Sequence, residues 1–215
     1  MRTQLLRKGD MKIIEVSSSK GGVGTTTVAC CTALALANRS PERVLLLDLS
    51  RNEDCFGVLG ISTPSTYECR EYAMTIKKIT RQELDNTLNL GEYDFVVIDA
   101  GLETVPEYRF GTPSLRIQVV RNEYMALRAA SFERGDFDAT VVLFQKDYAL
   151  TVSDVQMILR NTPFVFEISP DAASAIDSGL IAWREHLWDG WTDSMIEAHF
   201  PGLCGNSQPR GATCT

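Results

Sequence analysis

The sequence predicts an α/β protein: a mainly parallel β-sheet with helices on its faces. Three observations carry that expectation. Two apolar runs, residues 43–48 and 93–99, each end in a carboxylate, Asp48 and Asp99. In parallel sheets, ligands gather at the carboxyl ends of such buried strands. A third apolar run, 13–16, leads through a glycine-rich loop into residues 28–37, which are small, helix-compatible and free of Pro and Gly. Further apolar runs then alternate with helical stretches. The chain has 215 residues, 44% of them hydrophobic, enough for one well-buried domain. That domain is expected over 11–200, between a polar lead at 1–10 and a flexible tail at 201–215; Met11 offers an alternative start.

In chain order, the first strand (13–16), loop and helix (28–37) end at Arg39-Ser-Pro-Glu42, which breaks the helical pattern before the strand 43–48. Residues 53–61 read as a short helix and turn, Pro64 and its polar neighbours as a loop, and 67–76 and 81–88 as helices. After the strand 93–99 come a strand at 114–120, a helix over 121–130, a strand at 140–144, a helix at 152–159 and a strand at 163–168. Ser169-Pro170-Asp171 opens a helix through Gly179, since Ser caps and Pro is tolerated in the first turn. Residues 180–200 read as one more helix, breakable at Gly190. At 100° per residue, Trp183, Trp188, Trp191 and Met195 share a face. The opposite face carries Glu185, Asp189, Asp193 and Glu197. A membrane-surface helix needs basic residues there, so stable membrane binding is not expected and the helix should pack on the sheet or on a partner protein.

A formal charge of −7 gives no support for nucleic-acid binding. Six cysteines form no C-x-x-C pattern, and His186 and His199 lie far from any cysteine pair, which argues against zinc. Without a signal peptide or an apolar run near 18 residues, the expectation is a cytoplasmic protein with reduced thiols.

The stretch from Ser17 to Thr27 carries the chemistry. Gly21, Gly22 and Gly24 are expected to adopt positive φ, so that the loop's amides converge on an anion at the positive end of the next helix. In the generic phosphate-loop pattern G-x-x-x-x-G-K-[ST], Gly24 is the second glycine and Thr26 the hydroxyl that meets Mg²⁺. Ser19 replaces the first glycine, and Thr25 the lysine. The plainer alternatives are a Gly-rich turn and two strand-end carboxylates.

Lys20-Gly-Gly-Val-Gly24, followed by Thr25-Thr26-Thr27, resembles the deviant Walker A loop, K-G-G-x-G-K-T, of the MinD/ParA superfamily. The resemblance spans roughly residues 11–180. It implies a three-layer P-loop NTPase fold that binds ATP or ADP with Mg²⁺, and a homodimer formed on ATP in which Lys20 reaches the partner copy's phosphates. It assigns the phosphates to Lys20, Gly21, Gly22, Val23, Gly24, Thr25, Thr26 and Thr27, and the metal to Thr26, Asp48 and Asp99. Asp99 matches the Walker B aspartate. Asp48 matches the first acid of a D-x-D motif and, with Lys20, would serve catalysis. Gln145, in place of an asparagine, and Pro170 and Asp171 would frame adenine.

Two departures bear on turnover. Losing an ammonium about 4 Å from a phosphate forfeits about 4 kcal/mol of attraction at an effective dielectric of about 20. Ser50 stands where the second D-x-D acid belongs, leaving Asp54 as the available substitute. Hydrolysis is therefore expected to be weak or absent. The implied function is a nucleotide-dependent dimeric switch in positioning, partitioning or assembly of a cellular cargo. The alternative is a pseudo-ATPase adaptor that recruits a partner through its Trp-rich helix. A bridging cysteine between residues 100 and 140, which an iron-protein reductase needs, is absent, and a ligase's substrate domain has no room.

Overall fold

A computed structural model describes residues 11–39, 43–50, 54–62, 66–69, 74–84, 90, 92–102, 107–133 and 136–203. The expected lead at 1–10, the break at 40–42, the loop around Pro64, residues 85–88 of the expected helix and most of the tail lie outside these residues. Eight strands form one sheet: β1 (Lys12–Ser17), β2 (Val44–Asp48), β3 (Thr66–Cys69), β4 (Met74–Lys78), β5 (Phe95–Gly101), β6 (Leu115–Arg121), β7 (Ala139–Phe144) and β8 (Phe164–Glu167). Their order is β3-β4-β2-β5-β1-β6-β7-β8, with every pairing parallel except β3 with β4. β1 sits between β5 and β6, where the winding reverses, and a crevice opens beyond the carboxyl ends at such a point.

Seven α-helices flank the sheet among the described residues: α1 (Thr25–Arg39), α2 (Asp54–Val58), α3 (Arg81–Leu84), α4 (Tyr124–Phe132), α5 (Val152–Leu159), α6 (Pro170–Asp177) and α7 (Asp189–His199). Strand alternation divides the core. Ile14, Val16, Leu46 and Val97 pack with α1 and α7, whereas Ile13, Leu45, Leu47 and Ile98 face the other side. There Val120 and Val142 meet Leu127 of α4 and Val155 of α5. α1 is buried over most of its length because Cys30, Cys31, Ala33, Ala35 and Ala37 are small enough for close approach on several sides.

Three expectations are corrected. In place of the helix expected over 67–76, Thr66–Cys69 and Met74–Lys78 are strands that pair antiparallel, Tyr67 opposite Ile76. Ile76 is fully buried beside Leu46, and sheet pairing there outweighs local helix propensity. Arg121 closes β6, so the following helix starts only at Tyr124.

Residues 180–200 are not one helix. Gly179, at φ 67°, ends the α6 segment, two 3₁₀ turns follow (Ile181–Trp183 and Glu185–Leu187), and α7 begins at Asp189. Gly190 lies inside the first turn of α7 and does not break it. The three tryptophans also part company. Trp188 is buried and its indole N–H donates to the Ile181 carbonyl at 3.0 Å, Trp191 stacks on Phe166, and Trp183 is 58% exposed. The acidic row turns inward in part: Arg39, at the end of α1, is clasped between Asp189 and Asp193, and Asn38 meets Glu185. A cation there also suits the negative end of α1. No helix among the described residues is long and apolar enough to cross a membrane.

Candidate functional site

The loop between β1 and α1 is held from below and braced from within. The Ser18 amide donates to the Gly101 carbonyl at 2.9 Å, tying the loop to the end of β5. The Thr25 hydroxyl donates to Ser18 Oγ at 2.7 Å, and Ser18 Oγ donates to the Lys20 carbonyl at 3.1 Å. The residue that replaces a phosphate-loop lysine is thus spent on fixing the loop's shape. Gly22 (φ 75°) and Gly24 (φ 99°) take left-handed conformations; Gly21, contrary to expectation, does not. At Gly24 a Cβ would also overlap Leu143 of β7.

Above the loop lies a cavity of about 320 Å³, lined by Ser18, Gly21, Gly22, Gly24, Thr25 and Thr26 on one side and by Ser50, Asp54, Asp99, Gly101 and Leu102 on the other. Thr26 Oγ1 donates to Asp99 Oδ2 at 2.7 Å, joining helix α1 to strand β5 at the cavity floor. Burial pushes the Asp99 carboxyl up to about 6, the nearby Asp48 charge adds to this, and the Thr26 hydroxyl opposes it. A carboxylate held in so dry a place gains from a cation.

Asp48 is fully buried beside it, and its two oxygens accept the amides of Ser50 (2.8 Å) and Cys55 (3.0 Å). Lys78 Nζ lies 3.9 Å from Asp48 Oδ1. Asp48 therefore holds Ser50 and the start of α2 at the cavity rim. Ser50 Oγ accepts the amide of Asp54, the first residue of α2, at 2.9 Å, which satisfies one of the free N–H groups at that helix start. The Cys55 thiol, held protonated chiefly by burial, reaches Asp99 Oδ2 at 3.7 Å. Asp48, Cys55 and Asp99 offer ligand atoms within 4.8 Å of one another.

Other predicted residues fall elsewhere. Val23 points into the core with Val16 and Val28, because a branched apolar side chain in a loop over a sheet buries inward; only its backbone can serve a ligand. The Thr27 side chain is likewise buried. Lys20, its side chain 40% exposed, pairs with Glu123 at 3.3 Å on its own chain. Gln145, Pro170 and Asp171 do not line the cavity. Asn122 clamps the turn after β7, accepting the Gln145 amide at 2.9 Å and donating to the Gln145 and Leu150 carbonyls. Asp171 pairs with His186 at 3.3 Å on the outer surface.

Sequence reasoning missed Ser18, Cys55, Lys78, Gly101 and Glu123. Gly101, two residues after a strand-end aspartate and at φ 63°, carried the one local signal. Ser18 lies within the loop itself and braces it locally, whereas Cys55, Lys78 and Glu123 meet the site only through non-local pairing.

No family model matches the chain. Among solved structures, it is similar to the MinD cell division protein of Aquifex aeolicus, with a TM-score of 0.66 and 20% identity over 92% of this chain and 98% of that one. A ParA family ATPase from Chlorobium tepidum aligns with a TM-score of 0.61 and 14% identity, over 86% and 97% of the two chains. A nucleotide-binding protein from Archaeoglobus fulgidus in complex with ADP aligns with a TM-score of 0.58 and 16% identity, over 83% and 90%. The glycine loop, the strand-end aspartate beneath it and these likenesses agree on the architecture: the chain has the three-layer P-loop fold of the MinD and ParA-family proteins.

Proposed function

We propose that the chain binds ATP or ADP with Mg²⁺ and acts in the cytoplasm as a nucleotide-dependent dimeric switch that positions, partitions or assembles a cellular cargo, with weak or absent hydrolysis. The observation that carries this reading is the juxtaposition of a left-handed glycine cradle with the hydrogen-bonded Thr26–Asp99 pair in one cavity. Loop amides from Gly21 to Thr26 would take the phosphates. Thr26 and Asp99 are hard oxygen donors of the kind Mg²⁺ selects, and Asp48 adds a buried charge within 4.8 Å of Asp99. Bound there, Mg²⁺ would neutralise phosphate charge and relieve the buried carboxylate. Lys20 would have to leave Glu123 to reach a second copy.

Weak turnover follows from Thr25, whose hydroxyl is committed to Ser18, and from Ser50, whose hydroxyl accepts the Asp54 amide where an acid would orient water. Calorimetry with magnesium and ATP or ADP tests the binding. Heat at micromolar to millimolar nucleotide is expected, and none at millimolar ligand would overturn the reading.

The second reading, a pseudo-ATPase adaptor, draws on the same departures. Its recruiting surface cannot be the whole Trp-rich segment, because Trp188 and Trp191 are buried; it reduces to Trp183 and the exposed Leu180. ATP turnover separates the two. Activity in the wild type that Lys20→Ala abolishes favours the switch; activity only in Thr25→Lys favours the adaptor.

A further inference from the structure

A second cavity, of about 440 Å³, opens on the face of the sheet away from α1, between the C-terminal ends of α4 and α5. It shares no lining residue with the phosphate cavity. Its volume lies within the roughly 300–1,000 Å³ of small-molecule sites. Gln118 of β6 reaches it from the sheet: the residue is 5% exposed, and its side-chain amide has no hydrogen-bond partner among the described residues. Its amide atoms open onto the cavity, where a ligand's donor and acceptor can meet them.

The two walls carry opposite charges, Glu133 after α4 and Arg160 at the end of α5. Arg160 holds a left-handed turn (φ 57°), so its place on the rim is fixed by the backbone. Arg160 has no ion-pair partner among the described residues, while one Glu133 oxygen accepts from Ser19 and the other is uncommitted. Phe137 and Leu159 add apolar surface to the same lining. A guanidinium fork recognises a carboxylate, and a carboxylate beside two helix C-termini favours an ammonium.

We propose that this cavity binds a small zwitterion of the α-amino-acid class. Arg160 takes its carboxylate, Glu133 its ammonium and Gln118 the remaining hydrogen bonds, while an apolar side chain lies against Phe137 and Leu159. This site does not depend on the nucleotide reading.

The test is a titration of the full ¹⁵N-labelled chain with L-leucine, followed at the Gln118 side-chain amide, with acetate and methylammonium as separate arms. Saturable shifts at millimolar L-leucine are expected. Arg160→Gly, which keeps the left-handed turn and removes the guanidinium, should weaken binding by about tenfold or more, and Glu133→Gln by a similar factor. Neither single-charge probe should reproduce the shifts. The proposal is overturned if L-leucine leaves the Gln118 amide unmoved, if acetate alone reproduces its effect, or if Arg160→Gly binds as the wild type does.

Discussion

The two ends of the carboxyl-side crevice are built differently. On the glycine-loop side, Ser18, Thr25, Thr26, Asp48 and Asp99 are interlocked and mostly buried, each held by a strand or helix terminus. On the side expected to frame a base, Gln145 is tied through its backbone to Asn122, and Asp171 faces solvent with His186. Buried polar groups in a connected network fix one geometry, whereas exposed pairs are screened and worth little. The glycine-loop end is therefore a connected buried network, whereas at the other end the Gln145 turn is clamped by Asn122 and Asp171 is held only by an exposed pair.

The hardest way to break that contrast is at Gly24. Gly24→Ala adds a Cβ at φ 99° that overlaps Leu143, and should cost about 3 kcal/mol or more, read as a fall in melting temperature. Ala at Pro170, in an exposed first turn, should cost about 1 kcal/mol or less. Equal losses would show that the two ends are alike.

Next in size is Asp99, whose effect runs toward stability. Its folded value, about 6, lies above the ordinary 3.8, so the folded state holds the proton more tightly. Stability is gained as pH falls from above 6 toward 4 and lost as pH rises through 6, by roughly 2–3 kcal/mol in total. Asp99→Asn should therefore raise the melting temperature of the nucleotide-free protein at pH 7.5, with the gain gone by pH 4. It should also weaken binding of magnesium nucleotide. A lowered melting temperature at pH 7.5 would mean that the carboxylate already has a cation-like partner.

The smallest effect belongs to the outer pair. Asp171→Asn, with both side chains more than half exposed, should change stability by about 0.5 kcal/mol or less, measured by denaturant titration. A larger loss would show that the outer end is also a connected network.

Legibility in the sequence follows the same divide. The run from β1 through the glycine loop into α1 was readable because each requirement is local: apolar strand, left-handed turn, small-residue helix. Asp48 and Asp99 were readable because each ends its own strand. Val23 sits at a position the loop pattern leaves variable, and such a position says nothing of which way a side chain turns; here it turns into the core. Cys55, Lys78 and Glu123 reach the site only after β2, β4 and β6 take their places in the sheet. The segment after Gly179 misled because helical periodicity records which residues are apolar; whether the backbone stays helical between them depends on that glycine and on the docking of Trp188.

Helix α1 runs 15 residues from Thr25 in the loop to Arg39 in the acid clasp, about 22 Å at 1.5 Å per residue. One continuous buried helix thus joins the glycine cradle at its first residue to α7 at its last.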